Sequence, residues 1–122
     1  MARVLVVDGA NVVGSRPDGW WKDRAGAARR LHERLLVAEL SHDEVVLVLE
    51  GAAKGGVSTG LDGNVTTVHA RGSGDDEILA QASEATRRGA AVTAVTADRM
   101  LQSRLRAVGA TSMSPSWLWD QL

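Results

Sequence analysis

Four short apolar runs, each followed by a stretch with helical spacing, constrain this chain more than any other feature. The first is Arg3–Asp8 and the second Val45–Glu50 (VVLVLE), followed by Val65–His69 and Ala91–Thr96. Each is rich in β-branched residues and too short for a helix. Between them, Asp23–Leu40 sets Leu31, Leu35 and Leu36 at helical spacing, and Asp75–Arg88 turns Ile78, Leu79 and Ala82 inward. Asp98–Val108 reads as a third helix, with Gly109 positioned to end it. Residues 111–113 offer a short fifth strand, Ser116–Leu122 a closing helical turn, and 51–64 (GAAKGGVSTGLDGN) the only long loop. Alternating strands and helices imply a mainly parallel sheet of four to five strands with helices on both faces. A chain of 122 residues suits one such domain, spanning 1–122.

Composition narrows the classes further. A hydrophobic fraction of 44% and a net charge of −1 suit a folded globular protein, and give it no overall attraction to nucleic acid. The absence of cysteine excludes disulfides and thiolate-bound zinc. Met1-Ala2-Arg3 leads into an apolar run too short for a secretory signal, and no run approaches the roughly 20 residues that span a bilayer. The expectation is a cytoplasmic protein without a membrane partner. Lys22 and Lys54 are the only lysines, against twelve arginines. Arginine suits phosphate recognition, but abundant Ala and Gly make coding bias the plainer explanation. A phosphate-binding role must therefore rest on a local site.

Parallel sheets of this kind bind ligands at the carboxyl ends of their strands, and there acidic residues recur. Asp8 ends the first strand and Glu50 the second; Asp75 and Asp76 open a helix after the third; Asp98 follows the fourth. Asp75, Asp76 and Asp98 each have an ordinary alternative as helix caps or dipole partners. Asp8 is harder to dismiss, because a carboxylate at the end of a central strand is costly without a partner. Carboxylates converging on one edge repel unless cations lie between them, and hard oxygen donors suit Mg²⁺ or Mn²⁺. Other chemistries fit less well. There is no phosphate loop of the G-x-x-x-x-G-K type, no G-x-G-x-x-G after the first strand and no G-x-S-x-G elbow. His32, His42 and His69 are not at ligand spacing, and the first two read as surface residues.

Three stretches in order, VVDGANVVG, GSGDDEIL and VTADRMLQSRL, resemble the signature regions of NYN domains, members of the PIN-like nuclease superfamily with YacP-like bacterial relatives. The resemblance covers most of the chain. It implies a PIN-like three-layer α/β/α fold with strand order 3-2-1-4-5, and metal-dependent ribonuclease activity. It implies Asp8, Asp75 and Asp98 as metal-binding and catalytic residues and Asn11 as a supporting one. Glu50 stands where many relatives carry aspartate, and Asp76 where relatives vary; both join the expected metal contacts.

The segment after Asn11 suits RNA. Arg16, Trp20, Trp21 and Lys22 read as a loop above the strand ends, where tryptophan stacks on unpaired bases and basic residues follow the backbone. One of the two tryptophans is expected to anchor the loop instead. Arg99, beside Asp98, is positioned for a phosphate oxygen. Trp117 and Trp119 read as packing residues. The main expectation is a Mg²⁺ or Mn²⁺ ribonuclease acting on single-stranded RNA. Its rivals are a metal-dependent phosphohydrolase of nucleotides or small phosphate esters, and a non-catalytic RNA-binding module. The oligomeric state is left open, a dimer included.

Overall fold

A computed structural model describes residues 1–122. Its elements, in chain order, begin with β1 (Arg3–Asp8), α1 (Gly9–Gly14), a 3₁₀ turn at Trp20–Lys22, α2 (Arg24–Val37) and β2 (Glu44–Leu49). A 3₁₀ segment, Gly51–Gly56, then leads to β3 (Gly60–Asp62), β4 (Val65–His69), α3 (Gly74–Arg87) and β5 (Ala91–Val95). The chain closes with α4 (Arg99–Ala107), β6 (Thr111–Met113) and α5 (Pro115–Trp119).

The sheet has six strands in the order β3-β4-β2-β1-β5-β6. Every pairing is parallel except β3 with β4. Without β3, the order β4-β2-β1-β5-β6 is the 3-2-1-4-5 arrangement implied by the resemblance. The sixth strand corrects the expected count of four to five. Gly60–Asp62 lies in the stretch read as loop; it is three residues long and exposed throughout, so it lacks the alternation that marks a strand. Helix α1 is a second correction, since Asp8-Gly9-Ala10-Asn11 reads in the sequence as a turn after the first strand and instead opens a helix. It is only six residues long with glycine at both ends, so no apolar period announces it.

β1 lies at the centre because both of its faces are apolar. Val4 and Val6 join Val46, Val48, Val92 and Ala94 under Ile78 and Ala82 of α3 and Leu101 and Leu105 of α4. Leu5 and Val7 join Leu47 and Leu49 under Val12 of α1, Leu31 and Leu35 of α2 and Leu118 of α5. These two cores define the three layers. Each fully buried Val or Leu contributes about 1.5–3 kcal/mol. His32 and His42 are buried, not on the surface. His42 packs edge-on against Trp117, with ring centroids 6.4 Å apart, and its pKa is lowered by burial and then by Arg3. Both imidazoles fill space that short periodic reading assigns to solvent.

Gly9 fixes how α1 leaves β1. A Cβ there would lie 2.6 Å from the Val48 carbonyl oxygen and 2.8 Å from Leu49 Cδ2, so α1 can begin directly over β2 only without a side chain. Gly9→Ala is expected to cost about 1–3 kcal/mol by overpacking. Chemical denaturation checks this, and an unchanged midpoint would mean that α1 is free to retreat from β2.

Candidate functional site

Asp8 is the last residue of β1 and is 4% exposed. Its carboxylate turns back to cap α1, with Oδ1 accepting from the Asn11 N–H at 3.2 Å. Oδ2 accepts from the Thr96 hydroxyl at 2.9 Å. Burial pushes the Asp8 pKa up against the opposing pull of these two bonds, and the charges of Asp75 and Glu50 push it further.

The neighbouring carboxylates are fixed by backbone donors. Glu50 follows β2, and its Oε2 accepts from the Gly74 N–H at 2.6 Å. A Cβ on Gly74 would lie 2.8 Å from that same oxygen, so glycine admits Glu50 to the start of α3. Ser73 caps α3, which leaves Asp75 in the first turn rather than at the cap. The Asp75 pKa is raised by burial first, then by Asp98 and Glu50; Arg104 opposes them and Asp76 adds to them. Asp98 caps α4, with Oδ1 accepting from the Leu101 N–H at 3.0 Å. Asn11 ties α1 to the same region, its Oδ1 accepting from the Ala97 N–H at 2.9 Å.

Asp8, Glu50, Asp75 and Asp98 therefore meet at the carboxyl edge of the sheet. Asp76 lies outward, with its Oδ1 3.6 Å from Arg104 on α4. The chain's ion pairs are Glu84–Arg87, Glu44–Arg88 and Asp76–Arg104, so none of the four converging acids is in a direct ion pair, although Arg104 lies close enough for its charge to act on Asp75. Such a set fits a hard divalent cation. It does not close into a cage, however, since no three acidic or histidine side chains are arranged to hold an ion. Asp98 and Glu50 each spend one oxygen on a backbone N–H and keep the other free.

Beside the acids lies a cleft of about 460 Å³ whose lining includes Gly9, Glu50, Trp20 and Arg24. Trp20 is half-buried, while Trp21 is 55% exposed and meets it edge-on at 6.0 Å. Lys22 ends the same 3₁₀ turn, and Arg99 opens α4 beside Asp98; both are exposed. Arg16 does not line this cleft. Its guanidinium lies 4.1 Å from the centroid of the Trp119 ring, in a separate depression. Close spacing to Trp20 had suggested one loop, but a ring 103 residues further along the chain holds Arg16 elsewhere. Two residues at the site were missed. Thr96 was legible in principle, as a polar residue ending an apolar strand two positions before Asp98. Arg24, 5.3 Å from the Trp20 ring centroid, carried no signal beyond its charge.

A family model described as the YacP-like NYN domain matches residues 5–122. No curated protein matches the chain. Among solved structures, Rae1 (YacP) from Bacillus subtilis superposes with a TM-score of 0.70 at 19% identity, covering 96% of this chain and 71% of that one. A tryptophan-to-leucine variant of the same protein gives 0.66 at 18% identity, covering 97% and 73%. At this identity the likeness concerns the fold. No helix is long and apolar enough to cross a membrane.

The raised pKa values carry a sign for stability. A carboxyl group that holds its proton more tightly in the fold favours the native state fully below its unfolded value of 3.8. That contribution is lost as pH rises through the folded value. Asp8 and Asp75 are thus expected to make the metal-free protein less stable as pH climbs above about 4. Asp8→Asn keeps a good helix cap, and its amide donates to the Thr96 hydroxyl, which accepts as readily as it donates. The variant should melt higher than the parent at neutral pH in EDTA and show a flatter pH profile. Thermal denaturation checks this, and an equal or lower melting temperature would contradict it.

Proposed function

The chain belongs to the YacP-like NYN domain family, a nuclease-type family, and from that premise we propose that it hydrolyses RNA phosphodiesters at the Asp8 edge of its sheet. The observation that carries the reading is the set of four converging carboxylates without a cationic partner, beside a cleft lined by an aromatic ring and an arginine. Asp8, Asp75 and Asp98, with Glu50 in support, are the groups that would hold Mg²⁺ or Mn²⁺. The cation, when bound, offsets the charge of the scissile phosphate and acidifies a coordinated water.

This chain's own residues do the rest. Thr96 and the Asn11 N–H hold the Asp8 carboxylate in one orientation, and the Asn11 side chain secures the loop that leads to Asp98. Glu50 holds the start of α3, and so positions Asp75. Arg24 and Arg99 flank the acids and suit phosphate oxygens; Trp20 and the more exposed Trp21 suit unpaired bases, which favours single-stranded RNA. Asp76 serves α4 through Arg104, and its part at the metal is secondary.

One observation favours a second reading. The cleft, at about 460 Å³, has the volume of a small-molecule site, so a mononucleotide would fit. Incubation with labelled single-stranded RNA or with mononucleotides, in Mn²⁺ or EDTA, separates the two. Metal-dependent cleavage of RNA with mononucleotides untouched is the expected result; turnover of mononucleotides alone would install the phosphohydrolase instead. Asp75→Asn and Asp98→Asn are each expected to abolish the metal-dependent reaction while the circular-dichroism spectrum is retained, and a normal rate in either would sink the site. Trp21→Ala should weaken RNA binding by about 1–3 kcal/mol, the usual worth of one stacked base. Fluorescence anisotropy in Ca²⁺ reads this, and parental affinity would make Trp21 a bystander.

A further inference from the structure

A second concavity, of about 90 Å³, lies on the other side of Val13 from the carboxylate cleft; Val13 lines both. Its rim carries Arg16, Arg30 and Arg34, with Asp18 as the one acid and Trp119 and Leu31 as apolar wall. Arg30 and Arg34 are one helical turn apart on α2, so their side chains rise from the same face. None of the three arginines belongs to an ion pair.

Arg16 is preorganised from across the fold. Its guanidinium sits on the Trp119 ring, and the indole is itself fixed, its Nε1 donating to the Val12 carbonyl at 3.1 Å and to Ser15 Oγ at 3.0 Å. Three guanidiniums against one carboxylate leave a net positive recess. It is too small for a nucleobase and of a size for a tetrahedral anion. Asp8 and Val13 are five residues apart, about 7.5 Å along α1 at 1.5 Å per residue. An anion held beyond Val13 is therefore a different phosphate from one held at the acids.

We propose that Arg16, Arg30 and Arg34 form a phosphodiester-binding subsite that holds the RNA backbone at a nucleotide other than the one being cleaved. The proposal rests on the ribonuclease reading for its ligand. It predicts a strand that runs from the carboxylates past Trp20 and Arg24, then over Val13 and along α2. A guanidinium fork can meet two oxygens of one phosphate, which suits these arginines to a phosphodiester.

The test uses the full chain and its Arg30→Gln/Arg34→Gln double variant, two exposed positions whose replacement removes charge and no core packing. Binding of a labelled single-stranded RNA 12-mer is measured by anisotropy in Ca²⁺ across a salt series, with inorganic phosphate titrated separately by thermal shift. The expected result is binding weakened about tenfold, with the slope of log Kd against log salt shallower by about 1.4, roughly 0.7 for each lost phosphate contact. Parental affinity and slope in the double variant would overturn the subsite, as would a parent that binds no RNA. Stabilisation by inorganic phosphate that the variant loses, with RNA binding unchanged, would make the recess a free-phosphate site and also overturn the proposal. Cleavage of the same 12-mer by the parent in Mn²⁺ is scored independently. Arginine-dependent binding without cleavage would uphold the subsite and bring down the nuclease reading, whereas cleavage with arginine-independent binding would do the reverse.

Discussion

A carboxylate buried at the end of the central strand, without a countercharge, is the constraint on which the carboxyl edge of this sheet depends. Asp8 has to be solvated by the protein itself, and two donors do so: an amide at the start of α1 and the hydroxyl of Thr96 beyond β5. Each donor is held in turn. Asn11 reaches Ala97, and Thr96 Oγ1 also accepts from the Asp98 N–H at 3.2 Å. The ends of β1 and β5 and the starts of α1 and α4 are thus joined through one side chain. Glu50 makes the corresponding link between β2 and α3. Loops here are short and fixed because they carry the solvation of a buried charge.

This arrangement dissolves an apparent choice between structural and functional roles for the acids. Asp8 caps α1, Asp98 caps α4 and Asp75 sits in the first turn of α3, so three helix N-termini face one cluster. Each helix end presents partial positive charge, which offsets repulsion within about a turn. Capping is thus how carboxylates can be assembled here without cationic side chains. Burial first, and the neighbouring carboxylates after it, still push the pKa values of Asp8 and Asp75 up. What remains is an excess of negative charge that a bound cation would relieve.

β1 and β2 were legible because they are buried on both faces and read as continuous apolar runs, and β4 and β5 because they are short and rich in β-branched residues. The acids were legible because each interrupts such a run or follows it within a few residues. What escaped detection depends on contacts between distant parts of the chain. β3 is recognisable only by its partner β4, and α1 only by the clearance that Gly9 leaves over Val48. His32 and His42 carry no local mark of burial, since their neighbours on other elements create it. Arg16 was assigned to the Trp20 loop by proximity in sequence, a poor guide once Trp119 offers a fixed aromatic face. Arg24 belongs to the cleft because Asp23 caps α2 at that point, its Oδ1 accepting from the Gly26 N–H at 2.9 Å and setting the helix start under Trp20.

A net charge of −1 hides the segregation that matters. One group of acids at the sheet edge has no basic partner, and one group of arginines along α2 has no acidic partner, although the chain holds nearly equal numbers of each. Pairing them would have been the simpler route to low electrostatic strain. Instead, Val13 and the small residues Ala27 and Ala28 stand between the two sets, and Asp18 is the only acid in the arginine recess. α2 makes this possible because its faces differ: Ala28, Leu31 and Leu35 enter the core, while Arg30 and Arg34 remain in solvent. Unpaired charges of both signs, adjacent but kept apart, match the two demands of a phosphodiester chain. On the proposed reading, the acids would hold a cation at one phosphate and the arginines would hold the phosphates that flank it.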